Sequence, residues 1–87
     1  MQTTRAEIMT ATRVVVEVAR AICDTWKETR LPVPQGPIYM ALKERNAIQG
    51  LEGFQSILRL LAKSGFYCTQ ETIEPGPVLQ EALTVRA

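Results

Sequence analysis

Apolar side chains recur at steps of three and four residues from Thr4 to Thr29, a segment that contains neither glycine nor proline. This spacing predicts one long amphipathic helix. Thr4 and Glu7 have the spacing of a capping box, which satisfies amide groups at the start of a helix. The three consecutive valines at positions 14–16 are β-prone, but the periodicity on both sides of them favours a helix. The apolar positions of this repeat are Ile8, Ala11, Val15, Val18, Ile22 and Trp26.

The apolar sector of this first helix is wider than a single core requires. At about 100° per residue its apolar positions cover roughly 220°, whereas a helix that packs on one core buries a stripe of about 100° or somewhat more. A monomer rarely leaves such a surface in water, so we expect a homodimer joined through the helix. The residues predicted to form this interface, which keep a nearly heptad spacing, are Ile8, Ala11, Val15, Val18 and Ile22.

Two shorter helices are predicted after a connector at Arg30–Gly36, where two prolines prevent helix formation. The second helix is expected from Pro37 to about Arg45, with Asn46 ending it. The third is expected from Leu51 to Lys63 or Ser64, with Gly65 in a left-handed conformation just beyond. The residues expected to be buried are Ile38, Ala41, Leu42 and part of Tyr39 in the second helix, and Leu51, Phe54, Ile57, Leu58 and Leu61 in the third.

The segment after Gly65 is β-prone, which predicts a strand within Phe66–Ile73. Glu74-Pro75-Gly76-Pro77 has proline and glycine at the positions that a type II turn requires. Val78–Val85 is compatible with either a returning strand or a short terminal helix. The predicted fold class is therefore mainly α with a small β-hairpin, an α+β fold in a single domain covering residues 1–87.

Composition and candidate chemistry narrow the class further. The 87 residues contain no histidine, no serine beside a general base and no glycine-rich phosphate loop, so we expect no enzyme activity, no metal and no cofactor. Cys23 and Cys68 are far apart in the sequence and are predicted to be reduced thiols. No run of apolar residues approaches the roughly 18 needed to cross a membrane. We therefore expect a cytoplasmic protein that does not contact membranes.

Charge is distributed unevenly along the chain, although the net charge is only +1. Residues 35–65 carry four basic and two acidic side chains, whereas residues 66–87 carry one basic and three acidic side chains. A protein that binds nucleic acid through charge alone is usually more basic. Any binding to DNA would therefore have to depend on particular contacts in the middle of the chain.

The predicted order of elements resembles a winged helix-turn-helix domain. Residues 37–45 resemble the support helix and residues 51–63 the recognition helix, while residues 66–73 and 78–85 resemble the strands of the wing. The resemblance implies a small, dimeric protein that binds double-stranded DNA, of the kind that regulates transcription, with the third helix in the major groove. The residues it implies as DNA contacts are Gln55, Ser56, Arg59 and Lys63, together with Lys43 on the second helix.

Two other interpretations remain open at this point. The polar face of the third helix is also what an ordinary solvated helix surface looks like, because two cations are few for a DNA site. The segment that corresponds to the wing carries Glu71 and Glu74 and no basic residue. The alternative function is therefore a protein-interaction or dimerisation module that resembles a winged helix but binds no nucleic acid.

Overall fold

A computed structural model of the chain describes residues 5–85, with side chains for residues 12–84. The elements, in chain order, are α1 (Arg5–Thr29), β1 (Val33–Pro34), α2 (Gln35–Glu44), α3 (Leu51–Lys63), β2 (Phe66–Cys68), β3 (Thr72–Pro75) and α4 (Pro77–Val85). Most of this part of the chain is helical and the strands form one small antiparallel sheet, which confirms the predicted α+β class. The predicted capping box at Thr4 lies outside the described residues.

The long helix α1 packs one face on the rest of the chain and exposes the other. Its buried residues follow helical spacing, and its charged residues with described side chains are all exposed. The helix contacts β3, α3, β1 and α4, so several elements share its apolar sector. The buried residues of α1 are Val14, Val18, Ile22 and Trp26.

Arg30 ends α1 in a left-handed conformation, with φ of 59°. Its N–H donates to the Trp26 carbonyl at 2.7 Å. Its guanidinium lies 4.7 Å from the centroid of the Trp26 ring and donates to the Thr84 hydroxyl at 3.2 Å. A left-handed arginine is strained relative to glycine, and these side-chain contacts offset part of that cost. Arg30 therefore connects the end of α1 to α4.

The ends of α2 and α3 agree closely with the sequence predictions. Asn46 has φ of 58° just beyond α2, and Gly65 has φ of 105° just beyond α3. Both residue types tolerate the left-handed region that terminates a helix. The helix α2 begins at Gln35, two residues earlier than predicted, because Pro34 is the extended N-cap residue. Pro37 therefore falls inside the first turn, where amide hydrogens have no partner within the helix and a proline costs little.

The sheet contains a strand that the sequence did not predict. Its order is β1-β3-β2, with Val33 opposite Ile73 and Cys68 opposite Ile73 on the other side. The strand β1 is part of the proline-rich connector and forms an edge of the sheet, where a proline such as Pro34 is tolerated. A strand of two residues has no periodicity to detect. Ile73, at the centre of the sheet, is fully buried.

The C-terminal segment decides between the two structures left open for residues 78–85 and corrects the predicted type II turn. Residues 78–85 belong to the helix α4, so they do not form the second strand of the hairpin, which consists of β2 and β3. Gly76 does not have the positive φ that a type II turn requires. Instead its N–H donates to the Gly65 carbonyl at 2.8 Å, and Pro77 is the first residue of α4. Pro77 thus starts a helix, a position that suits proline.

Gln35 is a buried polar side chain, 8% exposed, that fixes the hairpin to the start of α2. Its side-chain amide donates to the carbonyls of Thr69 at 2.8 Å and Thr72 at 2.7 Å. Its backbone N–H donates to the Glu71 carbonyl at 2.9 Å. Three carbonyls of the β2–β3 turn are therefore satisfied by one residue far away in sequence.

No helix of the described part of the chain is both long enough and apolar enough to cross a membrane.

Candidate nucleic-acid interface

The helix α3 presents a polar stripe to the solvent. Phe54, Ile57 and Leu61 are buried and hold one face of the helix against the core. The residues predicted as DNA contacts on α3, which are Gln55, Ser56, Arg59 and Lys63, are all exposed. The structure therefore places these four predicted residues together on an accessible surface.

A fifth polar residue, Glu52, belongs to the same stripe. At 100° per residue, the positions of Glu52, Ser56, Arg59 and Lys63 fall within about 60° around the helix axis. Glu52 is exposed and lies in the first turn of α3. Glu52 is not among the predicted DNA contacts, and phosphate groups repel its carboxylate.

The side chains of the stripe have few partners. Ser56 donates its hydroxyl to the Glu52 carbonyl at 3.1 Å, and Arg59 Nε approaches the Gln55 carbonyl at 3.4 Å. Within the described part of the chain, neither Arg59 nor Lys63 forms an ion pair. Their positive charges are therefore available to an external anion or base edge.

Lys43 does not join the stripe through any described contact. Its Nζ lies 5.8 Å from the centroid of the Tyr39 ring. Tyr39 in turn packs edge-on against Phe54, with ring centroids 5.3 Å apart. Because Phe54 is on the buried face of α3, these contacts connect Lys43 to the core and not to the stripe. Lys43 is exposed on α2 and is the more peripheral of the predicted contacts.

Two depressions flank α3. The hairpin-side cleft, about 600 Å³, lies between the start of α2, α3 and the β2–β3 turn, and its lining includes Gln35, Tyr39, Gln55 and Glu71. The α1-side groove, about 970 Å³, lies between α1, the turn after α2 and the opposite flank of α3. The α1-side groove is lined in part by Val15, Ile48, Ser56 and Leu60. Gln55 belongs to the lining of the hairpin-side cleft, and Glu52 and Ser56 belong to the lining of the α1-side groove. The stripe thus lies between the two depressions and extends into both.

Some apolar side chains of α3 are more exposed than a purely buried stripe predicts. Leu51 is 58% exposed and Leu60 47% exposed. The burial predicted for Leu51 is wrong, since this residue begins the helix and borders both depressions. In α2 the burial predicted for Ala41 is also wrong, because that side chain is exposed.

The predicted dimer interface is only partly compatible with the structure. Val18 and Ile22 are 4% and 0% exposed within a single chain, so they belong to its own core and offer no surface to a second subunit. The reason is that α1 is covered by several elements of its own chain, a packing that the helix sequence alone does not show. Val15 is partly buried and Val16 is 49% exposed. The side chains of Ile8 and Ala11 lie outside the described residues.

The hairpin offers polar and aromatic groups but no cation. Tyr67 projects from β2 into solvent opposite Glu74, which is partly buried on β3. Glu71 is exposed in the turn between the two strands. A surface of this kind has no attraction for phosphate groups, so any contact with nucleic acid would come mainly from α3.

The cysteines are partly buried free thiols, one on α1 and one on β2. Burial raises the pKa of the Cys68 thiol. Burial, and then the nearby charge of Asp24, raises the pKa of Cys23. A raised pKa keeps the thiol protonated at neutral pH and lowers its reactivity. The residues with described side chains also include no cluster of three acidic or cysteine side chains suited to a metal ion.

No family model, curated protein or solved structure matches the chain.

Proposed function

We propose that the chain is a small cytoplasmic protein that binds double-stranded DNA by placing α3 in the major groove. The observation that carries the proposal is the exposed stripe on α3, which presents Gln55, Ser56, Arg59 and Lys63 on one accessible face. The major groove of B-DNA is wide enough to admit an α-helix, so an exposed helix face can reach the base edges there.

The order of elements gives a second line of support. The turn after α2 leads directly into α3, and the β2–β3 hairpin follows α3 without a further helix. This is the order that motivated the resemblance to winged helix-turn-helix domains, with the wing now assigned to β2 and β3. The acidic hairpin makes wing contacts to phosphate groups a minor part of the proposal.

The stripe contains side chains with defined preferences for base edges. An arginine such as Arg59 forms paired hydrogen bonds with guanine O6 and N7, and a glutamine such as Gln55 does so with adenine N6 and N7. Lys63 and Lys43 would lie near phosphates. Because few cations are involved, binding should depend weakly on salt and strongly on base sequence. Such a protein would serve in sequence-specific regulation of transcription.

The first prediction concerns Arg59. Replacing Arg59 with alanine should weaken binding to a selected duplex by about 1–3 kcal/mol and relax the preference at one base pair. The measurement is a titration of that duplex after selection from a random pool by the wild-type chain at low salt. Arg20→Ala, which removes an exposed arginine from α1, is the control and should leave affinity unchanged. A pool in which the wild-type chain enriches no sequence would refute DNA binding.

We also propose that the protein acts as a homodimer joined through the N-terminal half of α1. Val15 lines the α1-side groove and Val16 is exposed beside it, so this half of the helix retains apolar surface after the core is filled. Ile8 and Ala11 precede Val15 at steps that keep them on the same face of a helix. A two-fold axis near this face would repeat α3 on the second subunit and give two half-sites.

The second prediction tests the dimer. Val16→Glu places a charge on the proposed interface and should convert a dimer to a folded monomer, because Val16 is 49% exposed and is not needed by the core. Sedimentation at tens of micromolar, with circular dichroism to confirm folding, measures the outcome. Glu28→Lys, which changes an exposed residue more than three turns further along the same helix, should remain dimeric. A wild-type chain that sediments as a folded monomer would rule out this assembly.

A protein-interaction module without nucleic-acid binding is the second candidate function. It is favoured by the largely apolar α1-side groove, by the exposed Leu60 on its rim and by a net charge of only +1. The selection from a random duplex pool described above distinguishes the two functions. A wild-type chain that enriches no sequence while remaining folded favours this candidate.

A further inference from the structure

We infer that Glu52 determines base specificity by accepting a hydrogen bond from the exocyclic amino group of cytosine in the major groove. This inference rests on the proposed insertion of α3 into DNA. It adds a residue that the resemblance to winged helix-turn-helix domains does not supply. It also explains why a carboxylate belongs to a surface offered to a polyanion.

The first argument for this inference is the position of Glu52 in α3. It is the second residue of α3 and its side chain is exposed. Residues near the start of a recognition helix are those that contact base edges. Ser56 and Arg59 follow on the same stripe, about one and two helical turns later. Glu52 therefore leads the stripe at the end of the helix that approaches the bases.

The second argument is the negative charge of the Glu52 carboxylate. It is the acidic residue of α3, and in the described part of the chain it has no ion-pair partner. An ionised carboxylate only accepts hydrogen bonds, so it is repelled by phosphates and by the O6 of guanine and the O4 of thymine. The N4 amino group of cytosine is the donor that a glutamate pairs with in the major groove, whereas the N6 amino group of adenine stands beside the N7 acceptor, which repels a carboxylate. Glu52 therefore disfavours the other bases as well as recognising cytosine.

The spacing between Glu52 and Arg59 gives the inference a geometric consequence. Seven residues of helix advance by about 10.5 Å at 1.5 Å per residue. Base pairs of B-DNA are stacked about 3.4 Å apart along the duplex. A helix lying along the groove is inclined to the duplex axis and covers more than about 3.4 Å per base pair, so a cytosine contacted by Glu52 would lie about two to three base pairs from a guanine contacted by Arg59.

A purely structural role for Glu52 makes a different prediction. An acidic side chain in the first turn stabilises a helix through its dipole, and replacing it lowers the stability of the fold slightly. That loss would weaken binding to every duplex equally, because the helix dipole does not depend on the DNA sequence. Base preference therefore separates specificity from helix stabilisation.

The test is selection from a random duplex pool at low salt with the wild-type chain, Glu52→Gln and the control Glu28→Gln, which alters an exposed glutamate on α1. We expect the wild-type chain to enrich a motif with a cytosine about two to three base pairs from a guanine. Glu52→Gln should lose about tenfold preference at the cytosine alone and bind random duplex more tightly. Glu28→Gln should reproduce the wild-type motif.

Two results would overturn the inference, and they differ in what else they affect. If the wild-type chain enriches a motif that Glu52→Gln reproduces in every column, the inference about Glu52 is wrong while DNA binding stands. If the wild-type chain enriches nothing, the proposed function fails and the inference fails with it. Circular dichroism of both variants verifies that neither result comes from unfolding.

Discussion

Replacing Ile22 with alanine is expected to lower the free energy of unfolding by about 2–5 kcal/mol. Ile22 is fully buried near the middle of the contacts that α1 makes with the core. The substitution removes apolar contacts and leaves a cavity that the surrounding helices and sheet fill only in part. A domain of this size has a total stability of only about 5–15 kcal/mol, so a loss in the upper part of the range would populate the unfolded state.

Urea unfolding monitored by circular dichroism measures this effect, and Val78→Ala on α4 is the control. Val78 is 80% exposed, so its truncation should cost less than about 1 kcal/mol. The destabilisation by Ile22→Ala should be similar at low and high protein concentration, because the cavity forms inside one chain. Equal effects of the two substitutions would show that α1 does not pack on the core as described.

The substitution Gly76→Ala is expected to destabilise the fold by about 3 kcal/mol. A Cβ atom on Gly76 would lie 2.2 Å from the carbonyl oxygen of Gly65, which is a backbone atom that no rotamer change can move. The two glycines are also joined by the hydrogen bond from the Gly76 N–H at 2.8 Å. Relief of the clash must therefore separate the start of α4 from the end of α3.

Gly36→Ala is the matched control for Gly76→Ala. A Cβ atom on Gly36 meets nothing within 4 Å, and this residue lies in the first turn of α2. Alanine is the better helix former and restricts the unfolded chain, so this variant should be neutral or more stable by up to about 1 kcal/mol. The difference between the two midpoints in thermal unfolding tests the prediction. Similar midpoints would mean that the contact between Gly65 and Gly76 is looser than described.

The helices were predictable where the local pattern and the ending signals agreed. Periodicity located α1 and α3, and Asn46 and Gly65 marked helix ends through their tolerance of positive φ. The strand β1 was missed because its pairing with β3 comes from residues about forty positions away. The segment from Val78 was compatible with two structures, and only its contacts with α1 and β3 decide for a helix.

The candidate site and the dimer interface were likewise predictable only in part. The exposed stripe on α3 follows from helical geometry alone, so Gln55, Ser56, Arg59 and Lys63 were found together from the sequence. The dimer interface did not follow, because the sequence shows that α1 is apolar over a wide sector but not which part its own chain covers. Val18 and Ile22 turned out to be core residues for that reason. A wide apolar sector predicts several packing partners without saying whether they belong to the same chain.

The three hydrogen bonds from Gln35 to the β2–β3 turn bear on the entropy of association. A free hairpin tip loses conformational freedom whenever a partner immobilises it, and that loss subtracts from the binding free energy. Here the carbonyls of Thr69, Glu71 and Thr72 are already fixed by a residue at the start of α2. The conformational entropy of these groups is therefore already lost on folding. A partner that contacts the tip would encounter a preorganised surface.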